Sequence, residues 1–413
     1  MYEKYLSMLK GIEYCAKPNA YVLVRIDINS PIDASTGRII DDYRFKAHAK
    51  TIRYLVENKA RVVVISHQGR PGRSDFTSLE VHRKVLEKHV GYPVEFIDDV
   101  MGPAARRAIR ELKPGEVLLL DNVRFVSEEV IERKMEVQAN TYIVRRLAPL
   151  FDYFIFDAFA TAHRSQPTIV GFPLVLPSCI GLVMREELES LIKLRELGGE
   201  DSVLVVGGAK VPETIRAVKE VLKHGIAGKV LVGGVVGVVF VVAKYGHITP
   251  ALRRMLEEYG LISYVNYAER ILREYPDRII VPIDVAVDIK GSRIDVDVYS
   301  INDVIMDIGA RTIGMFLKAI RASKSIILSG PLGYIEDNRF IQGTKSILEE
   351  AVSLGKYTII SGGHTIAIAR KLNLIDKVSH ISTGGRAFLE ALISPDLPAL
   401  KALEVSTKKF WVK

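Results

Sequence analysis

The residues best equipped for chemistry fall directly after short apolar runs. Val22–Val24 is followed by Arg25, Ile26, Asp27, Ile28, Asn29, Ser30 and Pro31; Val62–Ile65 by Ser66, His67, Gln68, Gly69, Arg70 and Pro71. Val117–Leu120 leads into Asp121, Asn122, Val123 and Arg124, and Tyr153–Phe156 into Asp157, then His163 and Arg164. Arg44 heads a stretch of helical period over Arg44–Asn58. Guanidinium groups stay charged and match carboxylate or phosphate oxygens with a planar fork. Any one of these arginines fits an ordinary surface ion pair. Recurrence at four successive run ends instead predicts one pocket for a small, multiply anionic molecule.

The second half replaces arginine with glycine. Its run ends read Gly207, Gly208, Ala209, Lys210; Gly233, Gly234; Ser329, Gly330, Pro331, Leu332, Gly333; Ser361, Gly362, Gly363, His364, Thr365; and Ser382, Thr383, Gly384, Gly385. Glycine tolerates positive φ and lets backbone N–H groups face a phosphate, often with a helix N-terminus behind them. A single Gly–Gly pair marks only a tight turn, whereas five such ends predict a nucleotide site. The P-loop, the dinucleotide fingerprint and the protein-kinase motifs are all missing.

Residues placed this way need parallel strands. Continuous β-branched runs alternate with amphipathic stretches, which predicts sheets covered by helices on both faces. In such sheets ligands gather beyond the carboxyl ends of the strands. The 413 residues exceed one hydrophobic core, so the expected architecture is two doubly wound, Rossmann-like α/β domains. We place the first at 1–178 and the second at 179–395, joined by a hinge helix at about 182–197 able to transmit bending, with the tail 396–413 packing back on the first domain. The apolar stretch Val230–Ala243 is too short for a membrane span and reads as a buried strand running into a buried helix.

A net charge of +8 raises the question of nucleic acid, but the basic residues are scattered and show no aromatic interleaving. The N-terminus lacks the apolar core of a signal peptide. The two cysteines, Cys15 and Cys179, have neither framework nor zinc spacing and read as small buried hydrophobes in a reducing cytoplasm. Together these features predict a cytoplasmic protein with no nucleic-acid or membrane partner; the expected assembly is a monomer or homodimer, between which the sequence does not choose.

In order along the chain, these segments resemble the phosphoglycerate kinase family from about Tyr21 to Leu400. RIDINSP is similar to the family's RVDxNxP, SHQGRP to SHxGRP, LLLDNVRF to LLLENxRF and DAFATAHR to DAFGTAHR. GGAKV and HISTGG are nearly unchanged, SGPLGYIE follows NGPxGxFE, and DIGART follows DIGPKT. The resemblance implies phosphoryl exchange between 3-phosphoglycerate with ATP and 1,3-bisphosphoglycerate with ADP. It implies a substrate site at Asp27, Ile28, Asn29, Arg44, His67, Gln68, Gly69, Arg70, Arg124, His163 and Arg164. It further implies nucleotide contacts at Gly208, Lys210, Gly233, Gly234, Glu336, Gly362, Gly363, His364 and Thr365. Arg44, Lys210 and the amides near Gly363 and Gly385 would flank the transferring group, with domain closure excluding water.

Departures from the family pattern cluster on the nucleotide side. Thr214 stands where GGAKVxDK has its second lysine, for which Arg216 or Lys219 are candidate substitutes. His364 stands where GGGDT has the magnesium-contacting aspartate; imidazole suits magnesium poorly, so we expect Mg2+ to be held by nucleotide phosphates and water, with no metal ligand from the protein. Arg386 replaces the last glycine of STGGG, as an added positive charge or a plain surface residue. The alternative to an enzyme is a catalytically weak member of the family that binds nucleotide or metabolite. These changes fit an archaeal-type branch, since the substrate half keeps all its matched residues.

Overall fold

The computed structural model describes residues 2–33 and 35–412. The chain forms two compact units, Met1–Glu189 with Ser394–Lys413, and Ser190–Ile393.

The first unit is built on a six-stranded sheet of β1 (Tyr21–Arg25), β2 (Arg61–Ile65), β3 (Val94–Ile97), β4 (Val117–Leu120), β5 (Tyr153–Phe156) and β6 (Ser178–Ile180). The strands lie in the order β3-β4-β2-β1-β5-β6 with every pairing parallel. Central strands such as β4, with all four side chains buried, carry the apolar run that two covered faces require. The chain steps from β1 to β2 in one direction and reaches β5 on the other side of β1, so the order reverses beside β1. That is where an open parallel sheet leaves a crevice beyond its carboxyl ends. The helix Pro398–Phe410 returns to this unit: Ser406 Oγ donates to Leu176 O at 2.9 Å, Ala399 N to Ala162 O at 3.1 Å, and Trp411 stacks on Tyr153.

The second unit repeats the plan with β7 (Gly199–Val206), β8 (Ala227–Val232), β9 (Ile279–Ile280), β13 (Ser325–Ser329), β14 (Tyr357–Ser361) and β15 (His380–Ser382), ordered β15-β14-β13-β7-β8-β9 and parallel throughout. The Val230–Ala243 stretch is the end of β8 and the buried helix Gly234–Tyr245. The three strands between β9 and β13, namely β10 (Asp284–Ile289), β11 (Ser292–Asp297) and β12 (Ile305–Ile308), form a small antiparallel sheet. This sheet leaves no mark in the sequence pattern, because polar β11 presents no apolar run.

The expectation for the cysteines is overturned. Cys15 and Cys179 are joined in a disulfide, with Cα atoms 6.2 Å apart across a sequence separation of 164. The bond ties the short helix Ile12–Cys15 to the edge strand β6, beside the parallel bridge between Gly11 and Ile180. Sequence spacing carries no trace of such a contact, since only the fold brings the two segments together. Among the described residues no helix is long and apolar enough to cross a membrane.

Candidate functional site

The carboxyl ends of β1, β2, β4 and β5 bring the predicted substrate residues of the first unit together. Asp27 is almost fully buried, and its Oδ2 accepts from Arg44 Nη1 at 2.5 Å while its Oδ1 accepts from Asn29 N at 3.0 Å. Arg44 sits in the first turn of the helix Tyr43–Glu57 and also donates to Asn29 O at 3.0 Å. An aspartate among cations is thereby explained: it orients the guanidinium that resemblance places next to substrate.

Loops after neighbouring strands are laced to one another by side chains. Ile28 N donates to Ser66 Oγ at 3.1 Å, Ser30 N to Gln68 Oε1 at 3.0 Å, and Gly69 N to Asn29 Oδ1 at 3.0 Å. Asn122 Oδ1 accepts from Gln68 N at 3.3 Å and from Arg124 N at 3.1 Å. Arg124 in turn donates through Nη1 to the Gly69 carbonyl. Gly69 has φ +63°, and a β-carbon there would sit 2.5 Å from Asp75 O, so the turn requires glycine. Arg70 is exposed at its tip, and Arg164 Nε donates to His163 Nε2 at 3.5 Å.

The gathered cations act on one another's protonation. His67 is held well below the ordinary histidine range, first by burial and then by Arg25, Arg124, Arg164 and Arg44. Arg124 is pulled down to about 10 by burial, with Arg164, Arg25 and Arg70 adding repulsion. Arg25, one of the run-end arginines of the sequence, is not among the substrate contacts that the resemblance implies. It is 1% exposed and donates to Ile26 O at 2.9 Å and, through Nη2, to His67 Nδ1 at 3.1 Å. A guanidinium only donates, so Nδ1 carries the lone pair and Nε2 the proton. Glu129, also fully buried, offsets this charge and accepts from Thr168 N at 3.0 Å and from Thr168 Oγ1 at 2.5 Å. Nothing local in the sequence marks Glu129; its partner lies 39 residues away.

The glycine ends of the second unit also meet, but the geometry divides them into two groups. Gly208 N donates to Pro331 O at 2.8 Å, Gly234 N to Leu332 O at 2.7 Å, Gly207 N to Ser329 O at 3.1 Å, and Gly233 N to Val206 O at 2.9 Å. These amides close loop against loop. Side chains are excluded there, since a β-carbon on Gly207 would lie 2.0 Å from Pro331 O and one on Gly234 2.6 Å from Gly208 N. The helix Gly363–Lys371 differs. Gly362 at φ +91° precedes it, and first-turn amides have no carbonyl one turn earlier to bond. Gly363 and His364 are exposed, and Thr365 Oγ1 accepts from Gly330 N at 3.0 Å, binding this helix head to the loop after β13.

The remaining predicted positions are simpler. Lys210 is exposed just before the helix Val211–Lys223, Glu336 is exposed in the turn after Gly333, and Gly385 at φ +47° precedes the helix Arg386–Ile393. Thr214 is buried with its hydroxyl on Lys210 O at 2.8 Å, and so braces the helix rather than replacing a lysine. Lys219 is engaged by Glu274 at 3.1 Å, and Arg386 Nε by Glu390 at 2.7 Å. No group of three or more His, Cys, Asp or Glu side chains able to hold a metal occurs among the described residues. The head of the helix Gly363–Lys371 offers amides and an imidazole, which suit phosphate oxygens and do not suit direct coordination of magnesium.

A family model described as phosphoglycerate kinase matches residues 13–394. The phosphoglycerate kinase of Pyrobaculum aerophilum is 49% identical over 98% of both chains, and that of Methanothermus fervidus 42% identical over 94% of this chain and 95% of its own. Among solved structures, phosphoglycerate kinase from Pyrococcus horikoshii aligns with a TM-score of 0.92 at 39% identity, covering 97% of this chain and 100% of its own.

Proposed function

This chain belongs to the phosphoglycerate kinase family, and we propose that its first unit holds 3-phosphoglycerate on the arginine–histidine cluster while its second presents nucleotide phosphates at the head of the helix Gly363–Lys371. It is a phosphotransferase with a carboxyl group as acceptor, exchanging 3-phosphoglycerate and ATP with 1,3-bisphosphoglycerate and ADP in glycolysis and gluconeogenesis. The observation that carries the residue assignment is the hydrogen-bonded network that gathers Arg44 on Asp27, Arg25 on His67 and Arg124 on the Gly69 carbonyl, in loops joined by Asn29 and Gln68.

The acceptor carboxylate is ionised at neutral pH, so the reaction needs no general base. What it needs is alignment and neutralisation of charge. Arg44, oriented by Asp27, supplies charge beside the acceptor; Arg124, Arg164 and Arg70 supply it for the substrate phosphate. His67 donates from Nε2 as a neutral group. On the nucleotide side, the amides of Gly363, His364 and Thr365 donate to phosphate oxygens with the helix dipole behind them, and exposed Lys210 adds a positive charge. Gly208, Gly233 and Gly234 serve mainly by letting the loops close tightly. Magnesium, when bound, would supply further charge neutralisation; it would be held by nucleotide phosphates and water, since the His364 imidazole offers no oxygen ligand.

Calorimetric titration of 3-phosphoglycerate and of MgATP into Arg124→Ala tests the assignment. Affinity for 3-phosphoglycerate is expected to fall on the order of 10- to 100-fold, as for a lost charge-assisted contact, with MgATP affinity unchanged. Unaltered 3-phosphoglycerate affinity contradicts it.

A further inference from the structure

Behind the substrate cluster lies a second ionisable pair that the reaction itself does not use. His48 and Asp157 are both 0% exposed, and His48 Nδ1 lies 2.9 Å from Asp157 Oδ2. His48 stands one turn after Arg44 on the same helix, so both project to the same side. Its Nε2 accepts from the backbone N–H of Asp27 at 3.3 Å. A backbone amide only donates, so Nε2 bears the lone pair and Nδ1–H points to Asp157. The ring is thereby held in one tautomer by partners on both sides.

The other oxygen of Asp157 has a different task. Oδ1 accepts from Met184 N at 3.1 Å, in the first turn of the helix Leu182–Leu197. Thr51, on the His48 helix, accepts from Leu182 N at 3.2 Å. A β-carbon on Gly181 would lie 2.2 Å from Asp157 Oδ1, so glycine leaves the carboxylate room at this helix start. The helix is the one on which the chain leaves the first unit, after Glu189.

We propose that His48 and Asp157 are positioning residues for 3-phosphoglycerate. The relay runs from Met184 N through Asp157 and His48 to the Asp27 amide, and sets the backbone from which the Asp27 carboxylate aims Arg44. It couples that backbone to the start of the helix Leu182–Leu197. The proposal rests on the assignment of Asp27 and Arg44 to the substrate site made above.

The test compares two substitutions at His48. In His48→Asn the side-chain amide reaches the Nδ1 position and keeps a donor for Asp157, but offers nothing to the Asp27 amide. In His48→Gln the carbonyl reaches the Nε2 position and accepts from that amide. His48→Asn is expected to raise KM for 3-phosphoglycerate roughly 3- to 10-fold, the worth of one buried hydrogen bond, with KM for ATP unchanged. His48→Gln should recover most of the loss. Hydrogen exchange should quicken over 26–29 in His48→Asn, and over both 26–29 and 182–184 in Asp157→Asn, whose single oxygen cannot serve both partners. General destabilisation would shift both KM values together and would not distinguish Asn from Gln. If His48→Asn fails to fold, the exchange pattern and the KM ratio of Asp157→Asn decide. Equal KM values for 3-phosphoglycerate in wild type, His48→Asn and Asp157→Asn overturn the proposal. Should Arg124→Ala lose 3-phosphoglycerate binding while these variants keep it, only the relay fails; should Arg124→Ala also bind normally, the site assignment itself fails.

Discussion

The two units answer the same problem, binding phosphorylated anions, with different parts of the amino acid. In the first, buried side chains do it: Arg25, His67, Arg124 and Glu129 are each at most 6% exposed and are held by specific hydrogen bonds. In the second, backbone does it, through glycine loops packed against one another and an exposed helix head. A side-chain site costs desolvation, which lowers His67 and Arg124 and raises Glu129. A backbone site avoids that cost and instead demands the absence of side chains. The first should therefore be sensitive to charge and pH, and the second to steric change.

The largest expected difference is in turnover. Arg44→Ala removes a charge oriented by Asp27 and should lower kcat on the order of 10²- to 10³-fold, as loss of one preorganised donor does. Its unfolding temperature should stay close to wild type; full activity would break the side-chain half of the comparison.

Next comes the disulfide, which lies wholly in the first unit. Replacing Cys15 and Cys179 by Ser should destabilise that unit by about 2–5 kcal/mol. Calorimetry should show its transition moving down relative to that of the second unit, and a uniform shift of both would show that the bond does not act locally.

Acid should also single out the first unit. Burial lowers His82 to about 4, while the unfolded chain takes up its proton near pH 6.5. The stabilisation is therefore complete above about pH 6.5 and is lost as pH falls towards 4, the loss reaching about 3 kcal/mol at and below pH 4. His67 adds to it in the same direction. His82→Phe should flatten the pH dependence of unfolding in this window; an unchanged slope would remove His82 from the account.

The steric prediction is smaller and belongs to the second unit. Gly207→Ala should destabilise by about 1–3 kcal/mol, because its β-carbon meets the Pro331 carbonyl. Gly363→Ala, with nothing within 4 Å of its β-carbon, should change stability by less than about 0.5 kcal/mol. Equal effects measured by urea unfolding would show that the two glycine groups are not distinct.

The sequence revealed these two sites unequally. Strand-end arginines were readable because a charged residue directly after an apolar run has few structural reasons to be there, and both parallel sheets followed from the same runs. The glycine ends were found as a class, yet Gly207, Gly208, Gly233 and Gly234 differ from Gly363 in where their amides point and in how closely other loops approach them, which no residue type records. Arg25 and Asp157 were visible after their apolar runs but their roles were not, and His48 and Glu129 escaped altogether, because these roles arise from contacts across 39 to 109 residues or lie one layer behind the substrate. The disulfide escaped for the same reason, its two ends being adjacent only once β6 is in place. The antiparallel β10–β12 sheet was hidden by polar strands that give no hydrophobic period.

The central claim is that the arginine cluster selects a phosphorylated carboxylate. Turnover with MgATP should be compared for 3-phosphoglycerate and acetate, each coupled to capture of the acyl phosphate. The account predicts rapid turnover with 3-phosphoglycerate and none detectable with acetate. Comparable rates with acetate, or tight binding of 3-phosphoglycerate without any transfer, would contradict it.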